Sequence, residues 1–230
     1  MRLADVVREL DTKMAAIRDP IVATVRSVRR AISAGIRDES PSDVLCVAQA
    51  LVTRDRGYDR FIAYELLAAH RPTMRCVAAA DLRKIGKGMD SWDDVDAFAS
   101  FVSGPAWREG RISDAEIAKW AKSRDLWWRR AAVVSTVPLN NRARGGSGDA
   151  VRTLAICKML LDDREPMIVK AVSWALRELS KRAPKEVEKF LSAHDAELAP
   201  LVRREVRAKL TTGLKNPTSR RHTSRTGIRK

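Results

Sequence analysis

Trp92 and Asp96 are the residues of this sequence whose types and spacing first suggest chemistry. They are four positions apart, so on a helix they stand side by side on one face. A carboxylate can stabilise a developing positive charge or position a water molecule, and an indole attracts a cation through the face of its ring. We therefore ask whether the surrounding sequence turns these two side chains toward solvent or a ligand.

The segment that carries them has the pattern of an amphipathic helix over residues 91–103. Ser91, followed three residues later by Asp94, predicts a helix N-terminus capped by a side chain. The residues expected to face inward, from their helical period, are Val95, Phe98, Phe101 and Val102. Trp92 and Asp96 fall outside that stripe, so we expect them at the surface of the helix.

A second tryptophan, Trp174, lies among cations on a helix predicted over residues 165–182. The apolar stripe of this helix is formed by Val169, Val172, Leu176 and Leu179. The cations on the opposite side are Lys170, Arg177 and Lys181. An indole in a row of cations suits a backbone phosphate with a flat group against the ring. In the alternative interpretation, Trp174 covers a neighbouring helix and the cations are simply solvated.

Arg130 interrupts an apolar stripe, because it shares helical spacing with Leu126, Val133 and Val137. A buried, unpaired charge is too costly to keep, so Arg130 must have a partner or reach the rim of the protein. One partner is a phosphate held by two hydrogen bonds, and the other is an internal carboxylate. The sequence leaves both open.

The sequence contains no motif for a metal, a cofactor or a nucleophilic triad. The glycine-rich stretch 145–149 lacks the Gly-Lys-Ser/Thr ending of a phosphate-binding loop and follows no strand, so we predict a flexible connection. The histidines and cysteines are isolated, without the spacing of a zinc site or a catalytic pair. We expect Cys46, Cys76 and Cys157 to be buried, reduced thiols of a cytoplasmic protein.

Nearly every segment of the chain has a helical period, and no alternating strand pattern appears. The predicted helices are short and cover residues 2–17, 20–36, 40–53, 58–70, 72–87, 91–103, 113–123, 124–137, 150–163, 165–182, 184–193 and 196–211. The segment 128–134 recurs 40 residues later at 168–174, and about 40 residues is the period of HEAT-type repeats. We therefore predict an all-α solenoid of HEAT-like helix pairs over residues 1–211. A globular helical bundle is the alternative.

The charge of the chain points to a polyanionic partner. The formal net charge is +15, and six positive charges lie after Thr211, where no acidic residue offsets them. The helical part is thus basic in its own right, which favours nucleic acid first and an anionic membrane surface second. Residues 212–230 are polar, basic and aperiodic, so we predict a disordered tail. No apolar run is long enough to span a membrane.

Three segments, taken together, resemble the AlkD-type DNA alkylation repair family of alkylpurine DNA glycosylases with HEAT-like repeats. They are the segments 91–96, 126–131 and 170–178, which carry Trp92 with Asp96, Arg130 and Trp174 in the order and approximate spacing of the family. The resemblance covers roughly residues 40–210 and implies a solenoid with a basic concave groove that holds duplex DNA. One departure is that the first 36 residues contain no aromatic side chain, whereas family members can present one to DNA from that region.

The resemblance also implies roles for the residues. Asp96 is the expected catalytic aspartate, Trp92 and Trp174 are the paired tryptophans beside the lesion, and Arg130 grips the DNA backbone with Lys170, Arg177 and Lys181 nearby. An N3- or N7-alkylated purine is cationic and already a good leaving group, so a single carboxylate suffices. We expect a monomer that needs no cofactor and acts on alkylated duplex DNA without flipping the base. The competing hypotheses are a non-catalytic nucleic-acid-binding repeat protein and a scaffold for acidic peptides.

Overall fold

A computed structural model describes residues 3–216 of the chain, and every regular element in that range is helical. The helices follow one another in pairs, with the second helix of each pair packed against the second helix of the next. The predicted all-α solenoid is thereby confirmed. None of the described helices combines the length and the apolar character that crossing a bilayer demands.

The helices form two rows. The inner row consists of α2 (Val22–Gly35), α4 (Asp59–Ala69), α7 (Trp92–Phe98), α10 (Leu126–Val134), α13 (Pro166–Leu179) and α15 (Pro200–Thr212). The outer row consists of α1 (Leu3–Ala15), α3 (Pro41–Arg54), α6 (Ala79–Ile85), α9 (Asp114–Ala121), α12 (Ala150–Met159) and α14 (Pro184–Ala193). Three shorter helices connect the pairs: α5 (Arg71–Cys76), α8 (Gly104–Arg108) and α11 (Val137–Asn140).

The 40-residue match found in the sequence corresponds to equivalent helices of the inner row. Its two copies lie on α10 and α13, which pack directly against each other. Small and branched apolar residues dominate this contact, and Ala131 and Ala171 are fully buried. Each helix pair buries its apolar face only against its neighbours, which is the packing logic of a solenoid.

The predicted helix starts are largely confirmed by side-chain caps. Ser91 Oγ accepts a hydrogen bond from the backbone N–H of Asp94 at 3.2 Å, and Ser113 caps α9 in the same way. The single helix predicted over 72–87 is wrong, because the structure has α5 and α6 with a break between them. The side chain of Asp81 reaches back to the backbone N–H of Ala78 at 3.0 Å, and this contact starts the second helix.

The helix predicted to end at residue 103 continues beyond it. A π-helical segment, Ala99–Ser103, joins α7 directly to α8. The wider turn changes the period, so that Phe101, predicted to face the core, lies half-buried at a cavity instead. Glycine at position 104 permits the continuing helix to pack closely against the end of α10, since a Cβ would stand 2.7 Å from the backbone oxygen of Ser135.

The glycine-rich stretch is a packed turn rather than the flexible connection predicted for it. Arg142–Arg144 form a 3₁₀ turn, and the backbone N–H of Gly146 donates to the carbonyl of Asn141 at 2.9 Å. Gly146 is buried, and a Cβ there would lie 2.3 Å from the Pro138 carbonyl oxygen. Only glycine allows this approach, so the turn holds Arg144 in one place.

The cysteines and the C-terminal end of the chain differ in part from the predictions. Cys157 is buried as predicted, but Cys46 and Cys76 are exposed, because they lie on the solvent faces of α3 and α5. The last helix extends to Thr212, one residue beyond the predicted limit. Residues 217–230, which make up most of the predicted disordered tail, lie outside the described residues, so that prediction is not tested.

Candidate active site

A cleft of about 830 Å³ opens on the inner row of helices, and Trp92, Asp96 and Trp174 all line it. We call it the indole cleft. Trp92 and Asp96 come from α7, whereas Trp174 comes from the middle of α13, more than seventy residues later in the chain. The inner row brings these side chains together because α7 packs against α10, and α10 packs in turn against α13.

Asp96 and Arg130 form an ion pair at the cleft. Arg130 Nε donates to Asp96 Oδ1 at 3.0 Å and Nη2 donates to Oδ2 at 2.8 Å, so both carboxylate oxygens are engaged. Arg130 Nη1 also donates to the backbone carbonyl of Met167. Of the two partners that the sequence allowed for Arg130, the structure contains the internal carboxylate. Contact of Arg130 with a backbone phosphate stays a prediction.

The carboxylate of Asp96 is nevertheless accessible. The side chain of Asp96 is 18% exposed, compared with 6% for that of Arg130, and it faces the cleft. Burial raises the pKa of Asp96 above its ordinary value, while the hydrogen bonds and the positive charge of Arg130 act in the opposite direction. Arg130 therefore both fixes the orientation of the carboxylate and favours its ionised form.

The two tryptophans differ in their surroundings. Trp92 is 52% exposed, which is unusual for an indole in a folded domain and indicates a surface available for contact. Trp174 is half-buried and packs partly against the core, so the alternative in which it covers a neighbouring helix is correct for part of the ring. Its remaining surface lines the cleft with Trp92.

The predicted DNA-binding cations near Trp174 are not equally available. Arg177 Nε donates to Ser173 at 3.2 Å and lies 3.6 Å from Glu205, and Lys181 Nζ contacts Glu178 at 2.6 Å. Burial lowers the pKa of Arg177. Lys170 is exposed and has no ion-pair partner among the residues that the structure describes.

The sequence matches a known family over most of its length. The model of a family described as DNA alkylation repair enzyme covers residues 12–210, well over half of the chain. The chain belongs to this family. The three motifs identified in the sequence all lie within the matched range. A comparison with individual curated proteins gives no match.

Solved structures share the fold of this DNA alkylation repair family member. One is a predicted DNA alkylation repair enzyme from Enterococcus faecalis, which superposes with a TM-score of 0.62 over 91% of this chain and 95% of that chain. The two sequences are 20% identical, so the similarity supports a common helical architecture. The family itself establishes a role in DNA alkylation repair.

Two phenylalanines and two arginines also line the cleft, and the sequence indicates a place in it for none of them. Phe61 of α4 and Phe101 both line the cleft, and their rings meet edge to face with 6.2 Å between the ring centres. The guanidinium of Arg26 lies 5.4 Å from the centre of Phe61, and that of Arg144 lies 4.5 Å from the centre of Phe101. Arg26, Phe61 and Arg144 come from distant segments, so no local spacing in the sequence could have indicated them, and Phe101 was expected in the core.

Proposed function

We propose that this protein is a DNA glycosylase that releases cationic N3- and N7-alkylpurines from duplex DNA. The observation that carries the proposal is the position of the Asp96 carboxylate, which is oriented by Arg130 and accessible in a cleft that also contains Trp92 and Trp174. Membership of the alkylation repair family supports DNA as the substrate.

The proposed reaction is hydrolysis of the N-glycosidic bond. The oxygen of water forms a bond with C1′ of the sugar, and the bond between C1′ and N9 of the purine breaks. The electron pair of that bond neutralises the positive charge of the alkylated base, which leaves as a neutral purine. Because the base needs no protonation, no second carboxylic acid is required.

Asp96 acts on the sugar in this proposal. Its negative charge stabilises the oxocarbenium-like transition state and positions the attacking water, which releases one proton to the solvent as the bond to C1′ forms. Arg130 acts as a positioning residue that keeps the carboxylate in one orientation. Trp92 and Trp174 flank the lesion nucleotide, whose positive charge moves from the base to the sugar in the transition state, and each cation–π contact with that charge contributes about 0.5–2 kcal/mol.

The base stays in the duplex in this proposal. Enzymes that flip a base enclose it in a tight pocket, whereas Trp92 leaves half of its surface in solvent and the cleft is open beside it. Lys170, Arg177 and Lys181 are proposed to contact the DNA backbone on the side of Trp174, with Lys170 as the most available of the three.

The decisive experiment compares Asp96→Asn with Asp162→Asn on DNA that contains 7-methylguanine. Asp162 is exposed and lines none of the described cavities, so it controls for the change in charge. We expect Asp96→Asn to abolish release of the free base and to leave DNA affinity within about a few-fold. Undiminished release by Asp96→Asn would remove the catalytic assignment.

The ion pair itself favours one alternative, a non-catalytic nucleic-acid-binding repeat protein. Because both oxygens of Asp96 are hydrogen-bonded, the pair has a structural use without any reaction. That alternative predicts salt-dependent DNA affinity and no free purine when the wild-type protein is incubated with methylated DNA. Measuring released purines therefore distinguishes the two functions directly.

A further inference from the structure

A second cavity, of about 510 Å³, adjoins the indole cleft and is lined by arginines. Its cations are Arg71 and Arg75 from α5, Arg108 from α8 and Arg144 from the 3₁₀ turn. We call it the arginine cavity. The only carboxylate among the described residues that line it is Glu109, which lies 3.5 Å from Arg108.

Three of these arginines lack a carboxylate partner among the described residues, in contrast to several arginines of the inner row. Arg130 pairs with Asp96, and Arg26 and Arg29 both pair with Glu65. Arg71, Arg75 and Arg144 form no ion pair with any carboxylate between residues 3 and 216. An accumulation of unpaired guanidinium groups around one concavity favours an anion, and guanidinium suits the geometry of a phosphate.

Arg144 is held in place before any ligand arrives. Its guanidinium lies over the ring of Phe101, and its Nη1 donates to the Ser100 carbonyl at 3.3 Å. Its own carbonyl accepts a hydrogen bond of 2.6 Å from Arg108 Nη1. Because the packed turn at Gly146 fixes the backbone as well, little conformational entropy is lost when Arg144 binds an anion.

The indole cleft and the arginine cavity share a wall, formed by Ser100, Phe101 and Arg144. Their charges differ. The aspartates that line the indole cleft are Asp55, Asp90, Asp93, Asp94 and Asp96, and most lie close to Trp92. A phosphate is repelled from that end and attracted toward Arg144, whereas a cationic base has the opposite preference.

We infer that the arginine cavity receives a backbone phosphate of the lesion-containing strand, with Arg144 as its contact on the side of the indole cleft. This inference rests on the proposed function, since it takes the lesion to lie in the cleft. It predicts the path of the strand along the protein surface, which runs from the acidic end beside Trp92, over Phe101, to the arginines of α5. Arg144 is a substrate-binding residue in this arrangement, with Arg71 and Arg75 farther along the same path.

The test is a scan of the lesion strand with single methylphosphonate linkages, which replace one charged phosphate by a neutral group. For the wild type, we expect one position near the lesion to lower kcat/KM by about 10- to 100-fold, the range of a charged hydrogen bond. Arg144→Ala should lose a similar factor on unmodified DNA and show no further loss at that position, because the partner is already gone. Arg144→Lys should recover part of the loss.

A matched pair of double variants tests the path beyond Arg144. Arg71→Ala/Arg75→Ala and Lys185→Ala/Lys189→Ala each remove two positive charges from one face of a helix, the second pair on the outer row. We expect only the first pair to reduce the salt dependence of DNA affinity, by roughly 1–2 units of the log–log slope. An unchanged slope in the first pair would contradict the path.

The outcomes separate this inference from the proposed function. If Arg144→Ala is as sensitive as the wild type to every methylphosphonate, the inference is wrong even when base release is normal. If no base is released at all, the same scan read by DNA affinity still tests the phosphate contact. Displacement by millimolar inorganic phosphate without any methylphosphonate effect would mark the cavity as a site for free anions and overturn the inference.

Discussion

The carboxylate of Asp96 and the guanidinium of Arg130 meet through two hydrogen bonds of 3.0 and 2.8 Å across the α7–α10 contact. This pair joins two successive repeats and lies at the edge of the cleft at the same time. It therefore affects the charge state of the proposed catalytic group, its orientation and the stability of the repeat array.

The first prediction concerns the pH dependence of base release. Burial raises the pKa of Asp96 and Arg130 lowers it, and the reaction requires the ionised form. The acid limb of kcat/KM should lie above the ordinary aspartate pKa of 3.8, and Arg130→Gln should move it to higher pH because the stabilising charge is removed. The measurement is the pH profile of purine release, corrected for spontaneous depurination. Superimposable profiles would contradict the assigned role of Arg130.

A second prediction separates the structural role of the pair from its chemistry. Asp96→Ala leaves the nearly buried Arg130 without a carboxylate, which should cost about 3–5 kcal/mol of unfolding free energy. Asp96→Asn keeps a hydrogen-bond acceptor and should cost clearly less, although both variants lose activity. Urea denaturation followed by circular dichroism measures the difference. Equal stability of the two variants would mean that Arg130 finds another partner.

A third prediction concerns Trp92, whose replacement should change stability little and base release more. Because more than half of its indole is exposed, Trp92→Ala should change the free energy of unfolding by no more than about 0.5 kcal/mol. Base release should fall by roughly 2- to 30-fold, the equivalent of one cation–π contact. Trp92→Phe should retain part of the activity. Single-turnover rates on 7-methylguanine DNA test this, and full activity of the alanine variant would exclude a role for the ring.

Gly146 provides a test of the packed turn. A methyl group at this position meets backbone atoms of Pro138 and Leu139, which cannot move aside as a flexible side chain can. Gly146→Ala should destabilise the protein by about 1–3 kcal/mol and lower DNA affinity through displacement of Arg144. Ser147→Ala, an exposed neighbour, serves as the control. If the two variants behave alike, the turn is more adaptable than its packing suggests.

The sequence predicts those parts of the molecule that depend on local patterns. Helical periodicity and capping residues such as Ser91 and Ser113 indicate most helices, and the 40-residue repeat indicates how the pairs stack. Asp96 and Trp92 could be identified because they neighbour each other on one helix. Trp174 could be identified from its own helix, because its surroundings contradict the apolar pattern.

Most features of the fold and of the site that the sequence does not predict depend on contacts between distant segments. The break before α6 is a local exception: it depends on the side chain of Asp81, which accepts a hydrogen bond from the backbone N–H of Ala78 three residues earlier. Arg26, Phe61 and Arg144 reach the cleft from three separate parts of the chain, and each looks ordinary in its own segment. The glycine-rich turn has the composition of a flexible loop, and only its packing under Pro138 makes it rigid.

The π-helical segment Ala99–Ser103 makes the geometry of the site dependent on residue count. It is continuous with helices on both sides, so loss of a single residue could be absorbed by conversion to an ordinary α-helix. Such a conversion would keep α7 and α8 in register, because the π-helical turn carries one residue more than an α-helical turn. Phe101 would then follow the α-helical period into the apolar stripe and leave its place beside Arg144, while the chain still folded into stacked helix pairs. A deletion of one residue here would thus uncouple the architecture of the protein from its chemistry.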